Sequence, residues 1–157
     1  MKIHLIAVGT KMPGWVDEAY QEYAKRLTDE CRLLLTEVPA AKRGKSIDSR
    51  QATRQEGKKI LEKIPAGARR IVLDERGRML DTPALAQRLK AWLQGGADVA
   101  LLVGGPDGLA PDCKAVAEET WSLSPLTLPH PLVRVVVAEA LYRAWSMLRN
   151  HPYHRGD

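Results

Sequence analysis

Five consecutive apolar residues, Val99-Ala100-Leu101-Leu102-Val103, stand between Asp98 and the pair Gly104-Gly105. No other feature limits the fold as strongly. A strand without a polar face must be covered on both sides, which is the situation of a central strand in a parallel sheet layered between helices.

The rest of the chain alternates accordingly. Lys2 to Val8 reads as a first strand ending at Gly9, and after Pro13 the residues Trp15, Val16, Ala19, Tyr20, Tyr23, Ala24 and Leu27 recur at helical spacing. Arg32 to Val38 reads as a second strand closed by Pro39, followed by a loop from Ala40 to Lys45 and a polar helix from Ser46 to Ile64. The third strand is Arg69 to Asp74, with a turn at Gly77. Asp81-Thr82-Pro83 then supplies an N-cap and a proline for the first turn of a helix. That helix carries Leu85, Ala86, Leu89, Trp92 and Leu93 on one face and stops at Gly95-Gly96. A fourth strand, Asp98 to Val103, a short helix from Pro111 to Glu119, a fifth strand from Trp121 to Leu126 and a last helix from about Pro131 to Leu148 complete the pattern. Strands and helices in strict alternation predict the α/β class, a mostly parallel sheet flanked by helices, with ligands beyond the carboxyl ends of the strands. At 157 residues, with no repeat and no Ser/Gly linker, the chain reads as a single domain, 1–157.

Composition narrows the partners. Lys and Arg number 24 against 19 Asp and Glu, a net charge of +5 that favours an acidic partner such as nucleic acid. Lys42, Arg43, Lys45, Arg50, Arg54, Lys58 and Lys59 face only Asp48 and Glu56 within one segment, whose surplus equals that of the whole chain. Such a segment suits backbone phosphates or is a solvated helix face, and it has no aromatic residue on which a base could stack. Cys31 and Cys113 are too few for a disulfide framework and are expected to stay reduced. No apolar run approaches the ~20 residues of a membrane helix, and the N-terminus lacks a secretory h-region, so a cytoplasmic protein with no membrane partner is expected.

Three stretches could carry chemistry. Gly104-Gly105-Pro106-Asp107-Gly108 follows the apolar strand, where glycines allow close approach of a ligand to the backbone, or simply make a turn. It matches neither a nucleotide-triphosphate loop nor a dinucleotide-binding fingerprint. Leu123-Ser124-Pro125-Leu126-Thr127-Leu128-Pro129-His130 is broken by prolines, which leaves main-chain groups free for a flat heterocycle or stiffens a connection. His130 itself reads as a helix-start or packing residue. The tail Asn150-His151-Pro152-Tyr153-His154-Arg155-Gly156-Asp157 offers acid–base groups and a phosphate-binding arginine, or is a frayed end. His151 and His154 flank Pro152 without a cysteine pair nearby, so no metal site is expected.

Read together and in order, these stretches resemble a known family. Leu73-Asp74, Val103 to Leu109, Trp121 to His130, Arg134-Val135, Glu139 to Ala144 and His151-Pro152-Tyr153-His154 carry the resemblance, with Ala7 to Pro13 and Pro39 to Lys45 extending it over essentially the whole chain. The chain is similar to the RlmH family, the 23S ribosomal RNA pseudouridine N3-methyltransferases of the SPOUT class.

The resemblance implies an α/β domain with a C-terminal trefoil knot, acting as a homodimer with S-adenosylmethionine (S-adenosyl-L-methionine) on 23S rRNA in the intact ribosome. A knot is contrary to the general rule for protein chains and rests on the resemblance alone. Carried over by position, the cofactor contacts are Leu73, Gly104, Leu123, Ser124, Pro125, Leu126, Thr127 and Leu128, with Gly105 adjacent. For the chemistry, His154 is the candidate base, Tyr153 the candidate for stacking on the target base, and Arg143 or Arg155 the candidate for holding anionic oxygen. Two other readings stay open: a non-catalytic SPOUT-like ribosome-binding assembly factor, and an enzyme acting on a small nucleotide rather than RNA.

Overall fold

In the computed structural model, residues 1–155 are described; Gly156 and Asp157, the end of the tail, lie outside the described residues. The elements follow in the order β1 (Lys2–Val8), α1 (Gly14–Ala24), β2 (Arg32–Val38), α2 (Ser49–Lys63), β3 (Arg69–Met79), α3 (Thr82–Gly95), β4 (Val99–Val103), α4 (Pro111–Ala115), β5 (Glu119–Ser122) and α5 (His130–Leu148). The strands form one sheet in the order β2-β1-β4-β3-β5, and every pairing is parallel. β4 lies between β1 and β3, and all five of its residues are buried, as its unbroken apolar run predicts.

Alternation of side chains along the strands divides the core in two. Ile3, Leu5, Ala7, Ile71, Leu73, Leu101 and Val103 face one side, where they meet Tyr20 and Ala24 of α1, Leu89 and Trp92 of α3, and Val137, Ala138 and Leu141 of α5. Ile6, Val8, Val72, Ala100 and Leu102 face the other side, against Ile60 of α2 and Cys113 of α4. Both cysteines are buried and free, and burial pushes each thiol up to about 11. No helix among the described residues is long and apolar enough to cross a membrane.

The helix with the fullest local signals forms as read. The Asp81 carboxylate accepts the Ala84 amide at 2.9 Å, Pro83 occupies the first turn, and Gly96 ends α3 in the left-handed conformation at φ 79°. α2 starts three residues later than its polar pattern suggested, because Asp48 caps it by accepting the Gln51 amide at 2.9 Å.

Other boundaries depart from the reading for tertiary reasons. β3 does not turn at Gly77 but continues to Met79, re-pairing with β5 after an irregularity between Leu73 and Arg78. Gly77 is needed there for space: a Cβ would lie 2.6 Å from the Trp121 carbonyl carbon and 2.7 Å from the Thr120 oxygen. β5 spans Glu119–Ser122 instead of Trp121 to Leu126. Its pairing stops where Ser122 Oγ donates to the Ser124 carbonyl at 3.0 Å and the Leu126 amide donates to Ser124 Oγ at 2.9 Å, turning the chain before Pro125. α4 ends at Ala115, not Glu119, because the Glu118 amide already bonds the Arg70 carbonyl at 2.8 Å and leads into the sheet. Trp15 departs from the apolar face of α1 and is 57% exposed. The last helix begins at His130, with Pro131 in its first turn, and the tail is ordered as a 3-10 turn, Pro152–Arg155.

Candidate functional site

A cavity of about 660 Å³ opens at the carboxyl ends of β4 and β5, beside the irregular stretch of β3 that follows Leu73. It is lined by the segment after Leu73, by Gly104 to Leu109 after β4, and by residues between Ser122 and His130, with Val133 of α5 closing one side. The structure therefore brings Leu73, Gly104, Leu123, Ser124, Leu126, Thr127 and Leu128 to one place. Pro125 belongs to the same turn but does not line the cavity.

Each loop is held for a visible reason. Gly104 passes so close to Gly108 that a Cβ would stand 2.4 Å from the Gly108 carbonyl carbon, and the Gly108 amide bonds the Gly105 carbonyl at 3.0 Å. Gly108 has φ 80°, a conformation that favours glycine at the turn. Thr127 Oγ1 donates to Glu75 Oε2 at 3.2 Å and ties the proline-broken loop to the irregular stretch of β3. Residues 123–129 lie outside any strand or helix, so the sheet ladder leaves their main-chain groups for other partners. Leu73 is 9% exposed and forms part of the floor, whereas Leu126 is 75% exposed at the rim.

Charged groups also line the cavity. Lys114 Nζ reaches Asp74 Oδ2 at 3.0 Å. Burial works against the Asp74 anion, but the Arg76 amide and the Lys114 ammonium outweigh it and hold the carboxyl below its ordinary value. His130, read as a helix-start or packing residue, does start α5 but also lines the cavity. Burial, reinforced by Arg134, holds its imidazole below the ordinary histidine value. Arg134 is 1% exposed, donating to Glu37 Oε2 at 2.7 Å and to the Gly9 carbonyl at 3.3 Å. Asp74 and His130 had weak signals in the sequence, Lys114 had none, and no spacing marked the three as one group.

The tail residues assemble elsewhere. Arg143 Nε donates to Glu139 Oε1 at 2.9 Å, the Tyr153 hydroxyl donates to the same oxygen at 3.1 Å, and the Arg143 guanidinium stands 5.0 Å from the Tyr153 ring centre. Tyr153 also packs 4.6 Å from the ring of Tyr142, and the Arg26 guanidinium lies 5.3 Å from the Tyr142 ring centre and 5.9 Å from that of Tyr153. Burial, then the Glu139 carboxylate, raises the Tyr153 phenol far above its ordinary value, so it is a neutral hydrogen-bond donor. His154 Nδ1 is buried with no hydrogen-bond partner among the described residues. None of Arg143, Tyr153 and His154 lines the cavity. The cavity meets α5 at its first turns and the tail leaves from its other end; the whole helix is 19 residues long, roughly 28 Å.

A parallel α/β sheet with glycine- and proline-rich loops gathered over its carboxyl edge defines the class, a SPOUT methyltransferase, and the family model described as "Predicted SPOUT methyltransferase" matches residues 1–154. The fold is similar to that of a protein from Haemophilus influenzae Rd KW20 described as "a probable methylase family protein", with a TM-score of 0.54 and 14% identity, covering 97% of this chain and 69% of that one. A protein from Neisseria gonorrhoeae described as "putative methylase family protein" gives a TM-score of 0.54 at 15% identity, covering 89% of this chain and 81% of the other. The "Ribosomal RNA large subunit methyltransferase H" of Thioalkalivibrio sulfidiphilus (strain HL-EbGR7) is 57% identical over 155 residues, 99% of either chain. The chain belongs to this large-subunit ribosomal RNA methyltransferase H family of SPOUT methyltransferases.

Proposed function

We propose that this rRNA methyltransferase transfers a methyl group from S-adenosylmethionine to N3 of a pseudouridine in 23S ribosomal RNA, acting in the cytoplasm on the assembled ribosome as a homodimer. Family membership over the whole chain, joined to a cavity at the three loops expected to hold the cofactor, carries this reading. The trefoil knot expected for the class belongs to the same reading and rests on the family resemblance.

The cavity fits the cofactor. Gly104 lets the glycine loop close tightly on its own backbone at the cavity, Leu73 and Leu128 offer apolar walls, and the irregular backbone of 123–129 offers amides and carbonyls for an adenine edge. Asp74 is held as an anion at the cavity, where the Lys114 ammonium already pairs with it. When bound, S-adenosylmethionine supplies a sulfonium-activated methyl group.

The chain's own work is alignment and proton removal. An imide N–H must lose its proton before that nitrogen attacks, and the His154 ring, with Nδ1 unpartnered, is the base in this reading. Tyr153, a neutral phenol, stacks on or donates to the target base, while Arg143 stabilises negative charge on the ring oxygens. The tail cluster does not line its own chain's cavity, so each working site combines one protomer's cavity with the tail of the other. A second apolar stripe on α5, Leu132, Val135, Val136 and Ala140, is half-buried in the single chain and suits a face shared by two copies.

The test is transfer of labelled methyl from S-adenosylmethionine to ribosomes lacking this modification, with separated subunits and naked RNA alongside. Label recovered in N3-methylpseudouridine from intact ribosomes is the expected result. Label in another nucleoside refutes the acceptor assignment, and cofactor binding without transfer favours the assembly-factor reading.

A further inference from the structure

Glu56 is 1% exposed in the middle of α2, and neither methyl transfer nor RNA contact makes use of it. A carboxylate so buried needs partners. Its Oε2 accepts from Arg43 Nη1 at 2.9 Å and from the Ala41 amide at 2.9 Å. The same guanidinium reaches out of the segment: Arg43 Nε donates to Asp107 Oδ2 at 2.7 Å. Asp107 is in the glycine loop that lines the cavity. On the loop's inner side, a Cβ on Gly105 would lie 2.9 Å from Val8 Cγ1 and 3.6 Å from Glu56 Oε1, so the loop backbone rests directly over β1 and the Glu56 carboxylate.

This arrangement changes the meaning of the basic segment. Lys42, Lys45, Arg50, Arg54, Lys58 and Lys59 are exposed, whereas Arg43 is compensated by two carboxylates and has little charge left for a phosphate. The loop it reaches has three glycines and is costly to order on its own. A planar guanidinium can bond two carboxylates through separate edges, which an ammonium does less well.

We infer that Arg43 is a positioning residue: by bridging Glu56 to Asp107 it holds the glycine loop in the shape that binds S-adenosylmethionine, joining the basic segment to the cofactor cavity. This rests on the reading of the cavity as the cofactor site. Ordering the loop before binding lowers the cost of binding and is felt in affinity rather than in the chemical step.

The cleanest variant is Asp107→Ala, since Asp107 is exposed and its removal leaves Glu56 paired with Arg43. Its affinity for S-adenosylmethionine, measured by titration calorimetry, is expected to fall roughly tenfold. The salt dependence of ribosome binding and the thermal midpoint should stay at wild-type values, and adding Arg43→Lys to Asp107→Ala should cost no further affinity, because both act on one bridge, whereas a direct contact of Asp107 with the cofactor would make the two losses add. Arg43→Lys should retain part of the affinity, because it keeps the charge but not the fork. The inference is overturned if Asp107→Ala binds the cofactor as the wild type does, if its loss adds in full to that of Arg43→Lys, or if its loss lies in the salt dependence of ribosome binding. A wild-type protein that does not bind the cofactor overturns the cavity reading itself and this inference with it; wild-type binding with an unaffected variant overturns the bridge alone.

Discussion

Arg134, in the second turn of α5, donates at 2.7 Å to Glu37 near the end of β2, spanning the width between the last helix and one edge of the sheet. The arginine is fully buried while its partner's side chain is 35% exposed, so the two ends of the pair respond differently to substitution. Truncating Glu37 leaves a buried cation with the Gly9 carbonyl as its remaining acceptor among the described residues. Glu37→Ala is expected to lower stability by about 3 kcal/mol. The double variant Glu37→Ala/Arg134→Met should be more stable than that single one, since the uncompensated charge is gone. Urea unfolding of the three proteins checks this, and a double variant weaker than Glu37→Ala would refute it.

Gly104 offers a steric test of the cavity. A Cβ at this position would meet the Gly108 carbonyl carbon at 2.4 Å and its oxygen at 2.5 Å, both backbone atoms that cannot swing aside. Gly104→Ala should therefore displace the loop and weaken cofactor binding by at least tenfold, on the scale of roughly 1–3 kcal/mol for overpacking. Gly44→Ala, where nothing lies within 4 Å, is the control that should bind normally. Calorimetry on the two variants makes the comparison.

His130 makes stability depend on pH in a defined direction. Its folded pKa is lowered by burial and by Arg134, so the unfolded chain takes up the proton first as pH falls below the ordinary value of ~6.5. The favourable contribution is fully present above that value and declines from there down through the folded pKa. The thermal midpoint should fall between pH 7 and pH 5.5, and His130→Asn should flatten that part of the curve. Asp98, held low first by its hydrogen bond from His4, acts in a separate acidic window: its contribution is present above the ordinary aspartate pKa of ~3.9 and is lost below it.

The tail assignments separate chemistry from binding. His154→Ala is expected to reduce turnover roughly 100-fold while leaving affinity for S-adenosylmethionine unchanged. An unaltered rate would remove His154 from the mechanism. A mixed dimer of one tail-deleted chain and one Gly104→Ala chain should retain a single working site, because the intact tail and the intact cavity then lie on different subunits. Complete inactivity of that dimer would show that each site is built within one chain.

Local chemistry made much of the fold legible. α3 formed as read because its cap, its first-turn proline and its terminal glycine are all short-range signals. β4 was readable because five apolar residues in a row permit no exposed face. The extent of β3 and β5 was not, since their pairing past Gly77 depends on a close approach between segments far apart in sequence. Of the candidate site, the loops at Gly104 and at 123–128 were visible from their glycines and prolines, and the resemblance added Leu73. His130 was discounted because a histidine at a helix start has an ordinary structural role, and only the packing of α5 brings it to the cavity.

The sequence by itself determined the alternation of elements, the double-sided burial of β4 and, through family resemblance, the class of chemistry. Tertiary structure decided which charges remain available: Arg43 looks like one more phosphate-binding cation in sequence, yet in the fold it joins Glu56 to Asp107. It also decided that Arg143, Tyr153 and His154 gather at one end of α5 while the cavity meets the other. Local patterns follow from backbone geometry and solvent exposure over a few residues, whereas partnerships between distant side chains arise only when packing of the two core faces sets the helices against the sheet.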